Sequence, residues 1–120
     1  MPSSNTVDSF IQLVEAGHTV EAMARFYADH ASMQENESPP RVGKSALIEH
    51  EETALASIAA MKASCVRPVF LAGDSAVIRW IFEIQDKQGK AIRFEELALQ
   101  RWEGELLVEE KFFYDPGQFK

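Results

Sequence analysis

From Cys65 onward the apolar residues of this chain stop recurring at helical spacing and begin to alternate, and turn-forming pairs break the alternation at intervals. Gly73-Asp74, Asp86-Lys-Gln-Gly89 and Glu103-Gly104 punctuate the run, and Asp115-Pro-Gly117 ends it. Successive strand residues point to opposite faces, and Asp and Gly supply the backbone freedom that tight hairpins need. The second half of the chain is therefore expected as four strands, Cys65–Ala72, Ser75–Gln85, Ala91–Trp102 and Leu106–Tyr114, joined mostly by hairpins.

The first half reads as helix, helix, strand, helix. Thr6 is the expected N-cap of a first helix whose stripe is Val7, Phe10, Ile11, Leu13 and Val14, with Gly17 as its stop. Val20, Met23, Ala24, Phe26 and Tyr27 form a second stripe directly after it, so the two helices make a hairpin with a very short connection. Ser32 to Glu37 is expected as a short strand, and Pro39-Pro40 interrupts regular structure after it. A third helix, capped by Ser45, is expected to run to about Met61, burying Leu47, Ile48, Leu55, Ile58 and Met61 while Glu49, Glu51 and Glu52 face solvent. This order predicts one α+β domain over residues 1–120, a curved antiparallel sheet wrapped as a cone around the N-terminal helices. The space between helices and sheet is a natural ligand pocket.

Composition narrows the partners. Hydrophobic residues make up 46% of the 120 and charged residues 26%, as in an ordinary soluble globular chain. The net charge is −7 and no basic stripe is visible, which sets nucleic acid aside. An acidic surface repels anionic lipid, no apolar run approaches the roughly 18 residues of a membrane span, and the N-terminus lacks a signal-peptide pattern, so a cytoplasmic location is expected. Cys65 stands alone in an apolar segment and reads as a small buried thiol. Asp29, His30 and Glu35 offer metal-ligand chemistry on paper, but an Asp-His pair after an amphipathic helix reads as a surface pair, and no metal or cofactor is expected. His18 reads as the end of a turn and His50 as part of a helix surface.

Alternation sorts the strands into faces. Ile78, Trp80, Phe82 and Ile84 share an apolar face that should meet the helices. In the next strand Phe94, Glu96, Gln100 and Trp102 share one face, and in the last Glu110, Phe112 and Tyr114 do. If those faces point inward, Glu96, Gln100 and Glu110 join Glu35 around an aromatic cavity, where crowded carboxyls push at least one pKa upward. The competing arrangement leaves the acids solvated at the rim or paired with Arg79, Arg93 or Arg101. The opposite face carries Ile81, Leu97, Leu99, Leu107 and Phe113, an apolar stripe that predicts a homodimer through the sheets.

The element order, with Leu13-Val-Glu-Ala-Gly17, Phe26-Tyr-Ala-Asp-His30, Pro40-Arg-Val-Gly43 and the final hairpin, resembles the nuclear transport factor two-like superfamily, in its SnoaL-like and ketosteroid-isomerase-like branch. The resemblance implies a cystatin-like α+β barrel and leaves the activity open among isomerases, cyclases, dehydratases, epoxide hydrolases and binding modules. In ketosteroid isomerases a carboxylate on the first strand shuttles a proton beside a carbonyl, and a tyrosine and a protonated acid stabilise the enolate. By position Glu35 matches the base, while Phe10 and Ala98 stand where the two donors would be. Ketosteroid isomerisation is therefore not expected, and Glu96, Gln100, Tyr27 or Tyr114 would form a different donor set.

Three readings are open. One is a cofactor-independent proton-transfer enzyme for a small hydrophobic molecule, with Glu35 as general base and Glu96 and Glu110 as companion acids. Its ligand would lie among Phe10, Tyr27, Met33, Trp80 and Phe82 on one side, and Phe94, Gln100, Trp102, Phe112 and Tyr114 on the other. The second is a non-catalytic ligand-binding module. The third is a dimeric interaction module, its pocket filled by Phe10, Phe82, Trp102 and Phe112.

Overall fold

The computed structural model describes residues 1–119, so Lys120 of the expected domain lies outside the described residues. The chain runs α1 (Ser4–Glu15), α2 (Thr19–Phe26), β1 (Tyr27–Glu35), β2 (Arg41–Val42), α3 (Lys44–Ala56), β3 (Ile58–Ala72), β4 (Ser75–Asp86), β5 (Ala91–Glu103) and β6 (Leu106–Phe113), with a closing 3₁₀ turn at Pro116–Phe119. Six strands form one sheet in the order β2-β1-β6-β5-β4-β3. This is the α+β architecture expected, with a sixth, short strand added and one pair that differs in direction: β1 pairs with β6 in parallel, and every other pair is antiparallel. Among the described residues, no helix is long and apolar enough to cross a membrane.

The helical hairpin forms as its stripes require. Val7, Phe10, Ile11 and Val14 are buried on α1, and Ala22 and Met23 on α2. Gly17 takes φ +86°, a left-handed value that a side chain would resist, and His18 N–H closes back on Leu13 O. The cap of α1 is Ser3 rather than Thr6. Ser3 Oγ accepts from Thr6 N–H at 3.1 Å, so the helix starts a turn earlier than its apolar stripe does.

Several boundaries differ from expectation for one reason: strand pairing overrides local propensity. The first strand begins at Tyr27 instead of Ser32, because Tyr27 already pairs opposite Leu107. It ends at Glu35, where Asn36 turns the chain at φ +48° and accepts Tyr114 N–H on its side-chain oxygen. After the two prolines, Arg41 and Val42 add a short edge strand. Gly43, not Ser45, stands at the N-cap of α3. That helix ends at Ala56, and Ile58 and Met61 belong to β3, where Ile58 pairs with Asp86 and Met61 with Ile84. Leu47 is the one buried residue of α3, and Ile48 and Leu55 are half-buried.

The last strand corrects one face. Arg101 pairs with Glu109 but Trp102 pairs with Leu107, so Val108 is an extra residue. Such a bulge turns two consecutive side chains toward the same side. Leu107 and Val108 are both buried, and Leu106 lies on the surface, so Leu107 does not belong to the outer stripe.

The core joins helices to sheet through aromatic contacts. The Phe10 ring lies 6.0 Å from Phe26 and 6.1 Å from Trp102, both edge to face, and stacks on Tyr27 at 6.3 Å. Ala76, Ile78, Trp80, Ala98 and Trp102 supply the sheet side of this core.

Candidate functional site

Beyond the packed aromatic core the sheet and α3 diverge, leaving a cavity of about 330 Å³. Met33 and Glu35 from β1, Trp80 and Phe82 from β4, and Phe94 and Glu96 from β5 border it. Glu110 and Phe112 of β6, with Tyr114 just past it, complete the sheet side, while Phe10 and Tyr27 reach it from the helical end. The inward faces are therefore the Phe94 and Phe112 faces. Gln100 and Trp102 do not border the cavity. They lie fully buried behind Glu110.

The cross-strand register creates a buried polar chain. Gln100 sits directly opposite Glu110, and Trp102 follows two residues later on the same face. Trp102 Nε1–H donates to Gln100 Oε1 at 3.1 Å, Gln100 Nε2–H donates to Glu110 Oε2 at 2.7 Å, and Tyr27 O–H bonds to Glu110 Oε1. Burial pushes the Glu110 carboxyl up against the pull of these two donors, and burial beside Glu110 pushes the Tyr27 hydroxyl well above its usual range.

Glu96 is different. It lies opposite Trp80 on the cavity wall and, among the described residues, its carboxyl has no hydrogen-bond partner. Burial first, then the charges of Glu110, Glu35 and Glu51, push its pKa up to about 8. Two of the three arginines that could have neutralised Glu96 and Glu110 are engaged elsewhere, Arg79 with Glu95 at 2.9 Å and Arg101 with Glu109 at 3.0 Å, while Arg93 is exposed and acts on Glu95. Both pairs lie on the outer face.

Glu35 occupies the mouth. Tyr114 O–H donates to it at 3.3 Å, Arg41 stands 3.9 Å away, and its side chain is 39% exposed. Burial and the charge of Glu35 push the Tyr114 hydroxyl up.

Glu51 and His50 are additional. Both border the cavity; Glu51 is half-buried where solvent exposure was expected, while His50 stays exposed on the helix surface, as expected. The signal was present, because Leu47, Glu51 and Leu55 are spaced four apart and share a helix face. Burial raises the Glu51 pKa, with His50 opposing and Glu35 adding to the rise. Phe119 also borders the cavity, its ring 4.7 Å from Phe94. Gln118 anchors that turn by exchanging two side-chain hydrogen bonds with the Glu95 backbone.

The histidine pair does not join the site. The Asp29 side chain is fully exposed near Lys44, and His30 is exposed near Glu103. Among the described residues, no group of three His, Cys, Asp or Glu side chains is placed to hold a metal ion. Cys65 is half-buried, and burial raises its thiol pKa, the condition of an unreactive cysteine.

The family model of the SnoaL-like domain matches residues 7–110. The chain belongs to the SnoaL-like domain family. Solved SnoaL-like and related structures share the fold at low identity. A Mesorhizobium loti protein provisionally named a SnoaL-like polyketide cyclase, or carbohydrate phosphatase, is 22% identical, with a TM-score of 0.79 over 95% of this chain and 100% of that one. A Catenulispora acidiphila protein with a ketosteroid-isomerase-like fold, solved with trimethylamine, is 14% identical, with a TM-score of 0.81 over 97% and 89%. A Xanthomonas campestris protein of cystatin-like fold is 17% identical, with a TM-score of 0.83 over 99% and 95%. No curated protein matches the sequence. At these identities the likeness to solved structures establishes the cone, and the chemistry of this SnoaL-like domain has to be argued from its own cavity.

Proposed function

We propose that this protein binds a small, largely apolar molecule in its cone and moves a proton on it without a cofactor. The observation that carries the reading is Glu96: a carboxyl in an aromatic cavity, unpartnered among the described residues, where burial and the neighbouring acids push its pKa up to about 8. A general acid or base works best with a pKa near the working pH, and this environment supplies one. Glu35, the base expected by position, has Tyr114 and Arg41 beside it and stands at the mouth. In this reading Glu96 carries the proton, and Glu35, held by Tyr114 and Arg41, borders the mouth without taking the proton. A cytoplasmic location belongs to the same proposal, supported by a lone cysteine that can form no internal bridge.

Carboxyl-carbon NMR with Glu96→Gln as the assignment control tests this. One resonance should titrate near 8 and vanish in the variant, and solvent deuterium should enter the methyl group of bound 2-acetylnaphthalene more slowly in the variant. A Glu96 midpoint in the ordinary carboxylate range would sink the proton-transfer role. Ketone binding without any catalysed exchange would favour a carrier.

A second copy of the chain against the outer face of β5 and β6 is proposed as well. Leu97, Leu99 and Phe113 are each more than two-fifths exposed there, with Leu97 directly opposite Phe113. The neighbouring charges pair within the chain, Arg79 with Glu95 and Arg101 with Glu109, so the patch repels a copy of itself far less than the net charge of −7 suggests. Sedimentation velocity should give a dimer that Leu97→Glu dissociates. A monomeric parent at high micromolar concentration would refute it.

A further inference from the structure

Trp102 fixes the direction of the buried hydrogen-bond chain. An indole N–H only donates, so the oxygen of the Gln100 amide must face it and the nitrogen must face Glu110. The two ends of that amide, alike in shape, are thereby told apart. Glu110 Oε2 faces an amide NH2 that can only donate, whereas Oε1 faces a hydroxyl that can also accept, so among the described partners a proton taken up by Glu110 finds its acceptor from Oε1, the oxygen bonded to Tyr27. That last bond has two polarities. With Glu110 ionised, Tyr27 O–H donates to Oε1 and is occupied. With Glu110 protonated, its O–H donates to Tyr27 Oη, and the phenolic hydrogen is free for another acceptor. Tyr27 and Glu110 both border the cavity.

We propose that Tyr27 is the hydrogen-bond donor to a neutral carbonyl oxygen bound in the cavity, made available when Glu110 takes a proton on Oε1, with Gln100 and Trp102 as the positioning residues that select that oxygen. The inference rests on the cavity being a ligand site and adds the ligand's class, a flat apolar ketone or aldehyde. A carboxylate ligand would meet the surrounding acids. The other titratable groups bordering the cavity are Glu35 from β1, His50 and Glu51 from α3, Glu96 from β5, and Tyr114. The residues that α1, α2, β3 and β4 place there carry no titratable group. Burial favours the protonated form of Glu110, which keeps the free-donor state within reach.

The test compares two probes of similar size, 2-acetylnaphthalene and 2-ethylnaphthalene, by titration calorimetry across pH. A Glu96→Gln background stops Glu96 from adding its own pH-dependent hydrogen bond. The preference for the ketone should rise roughly three- to tenfold, one neutral hydrogen bond, as pH falls through the Glu110 titration. Glu110→Gln in that background should fix the preference at its low-pH value at every pH. With Gln100 donating to its oxygen, the introduced amide points its nitrogen at Tyr27 and imitates the protonated acid. Tyr27→Phe should abolish the preference; if that variant fails to fold, the Glu110→Gln comparison decides. Equal binding of both probes at every pH, or a pH dependence that survives Glu110→Gln, overturns the relay and leaves the cavity as a binding site. Binding of neither probe overturns both.

Discussion

At about pH 9 the Glu96→Gln variant is expected to resist urea far better than the parent chain, whereas near pH 4.5 the two should unfold almost together. The sign comes from proton counting. In the folded state Glu96 holds its proton up to about 8, while in the unfolded chain it releases it near the ordinary value of 4.5. Between those values the native state binds the extra proton, so the contribution of this group is fully present below the unfolded pKa and is lost as pH rises through the folded one. Above that point the parent bears an ionised carboxyl in an aromatic wall, and the amide does not. At about 1.4 kcal/mol per unit the gain for the variant is roughly 3–5 kcal/mol at high pH. Urea melts of both proteins at the two pH values measure it directly. A pH-independent difference would mean that Glu96 is solvated in the folded chain. The expected outcome fits a cavity that gives up stability to hold a titrating group.

Trp102→Ala should be the most damaging single change in the core. The indole is completely buried, meets Phe10 and Phe26 edge to face, and supplies the donor for Gln100. Truncating a buried tryptophan costs about 3–5 kcal/mol in lost contacts and residual cavity, a large share of the roughly 5–15 kcal/mol that stabilises a domain. Trp102→Phe separates the two contributions. It keeps much of the ring but leaves the Gln100 oxygen without its donor in a dry interior, at about 1–3 kcal/mol. Urea denaturation should rank parent, Trp102→Phe and Trp102→Ala in that order. A neutral Trp102→Phe would show that the indole contributes packing alone, and the orientation of Gln100 would then be unfixed.

The parts of this fold legible in the sequence are those where one period and one turn type agree. The β4–β5 ladder, from Ser75 opposite Arg101 to Gln85 opposite Ala91, is set by unbroken alternation and by the turn at Asp86–Gly89. Ile58-Ala-Ala-Met61 fits a helix stripe as well as a strand face, and the pairing that decides for β3 is made by residues more than twenty positions away. The β6 bulge is invisible for a similar reason, because Leu106, Leu107 and Val108 are alike in character and only the register against Trp102 sorts them. In the site, Glu35, Glu96 and Glu110 could be nominated from alternation and resemblance. Their separate environments could not, since those depend on which neighbours are already engaged. Arg41 and Tyr114 sit beside Glu35, Tyr27 and Gln100 hold Glu110, and Glu96 is left with aromatic walls.

The parallel pairing of β1 with β6 has a consequence for how the molecule is made. Glu35 lies beside Phe112, and Met33 beside Glu110, across more than seventy intervening residues. The wall that carries both carboxyls therefore cannot close during synthesis until the chain has been made as far as Phe113. Until then the helical hairpin and the β3–β4–β5 meander must persist with their apolar faces unsealed, a long-range closure of the kind that slows folding and exposes a nascent chain to aggregation.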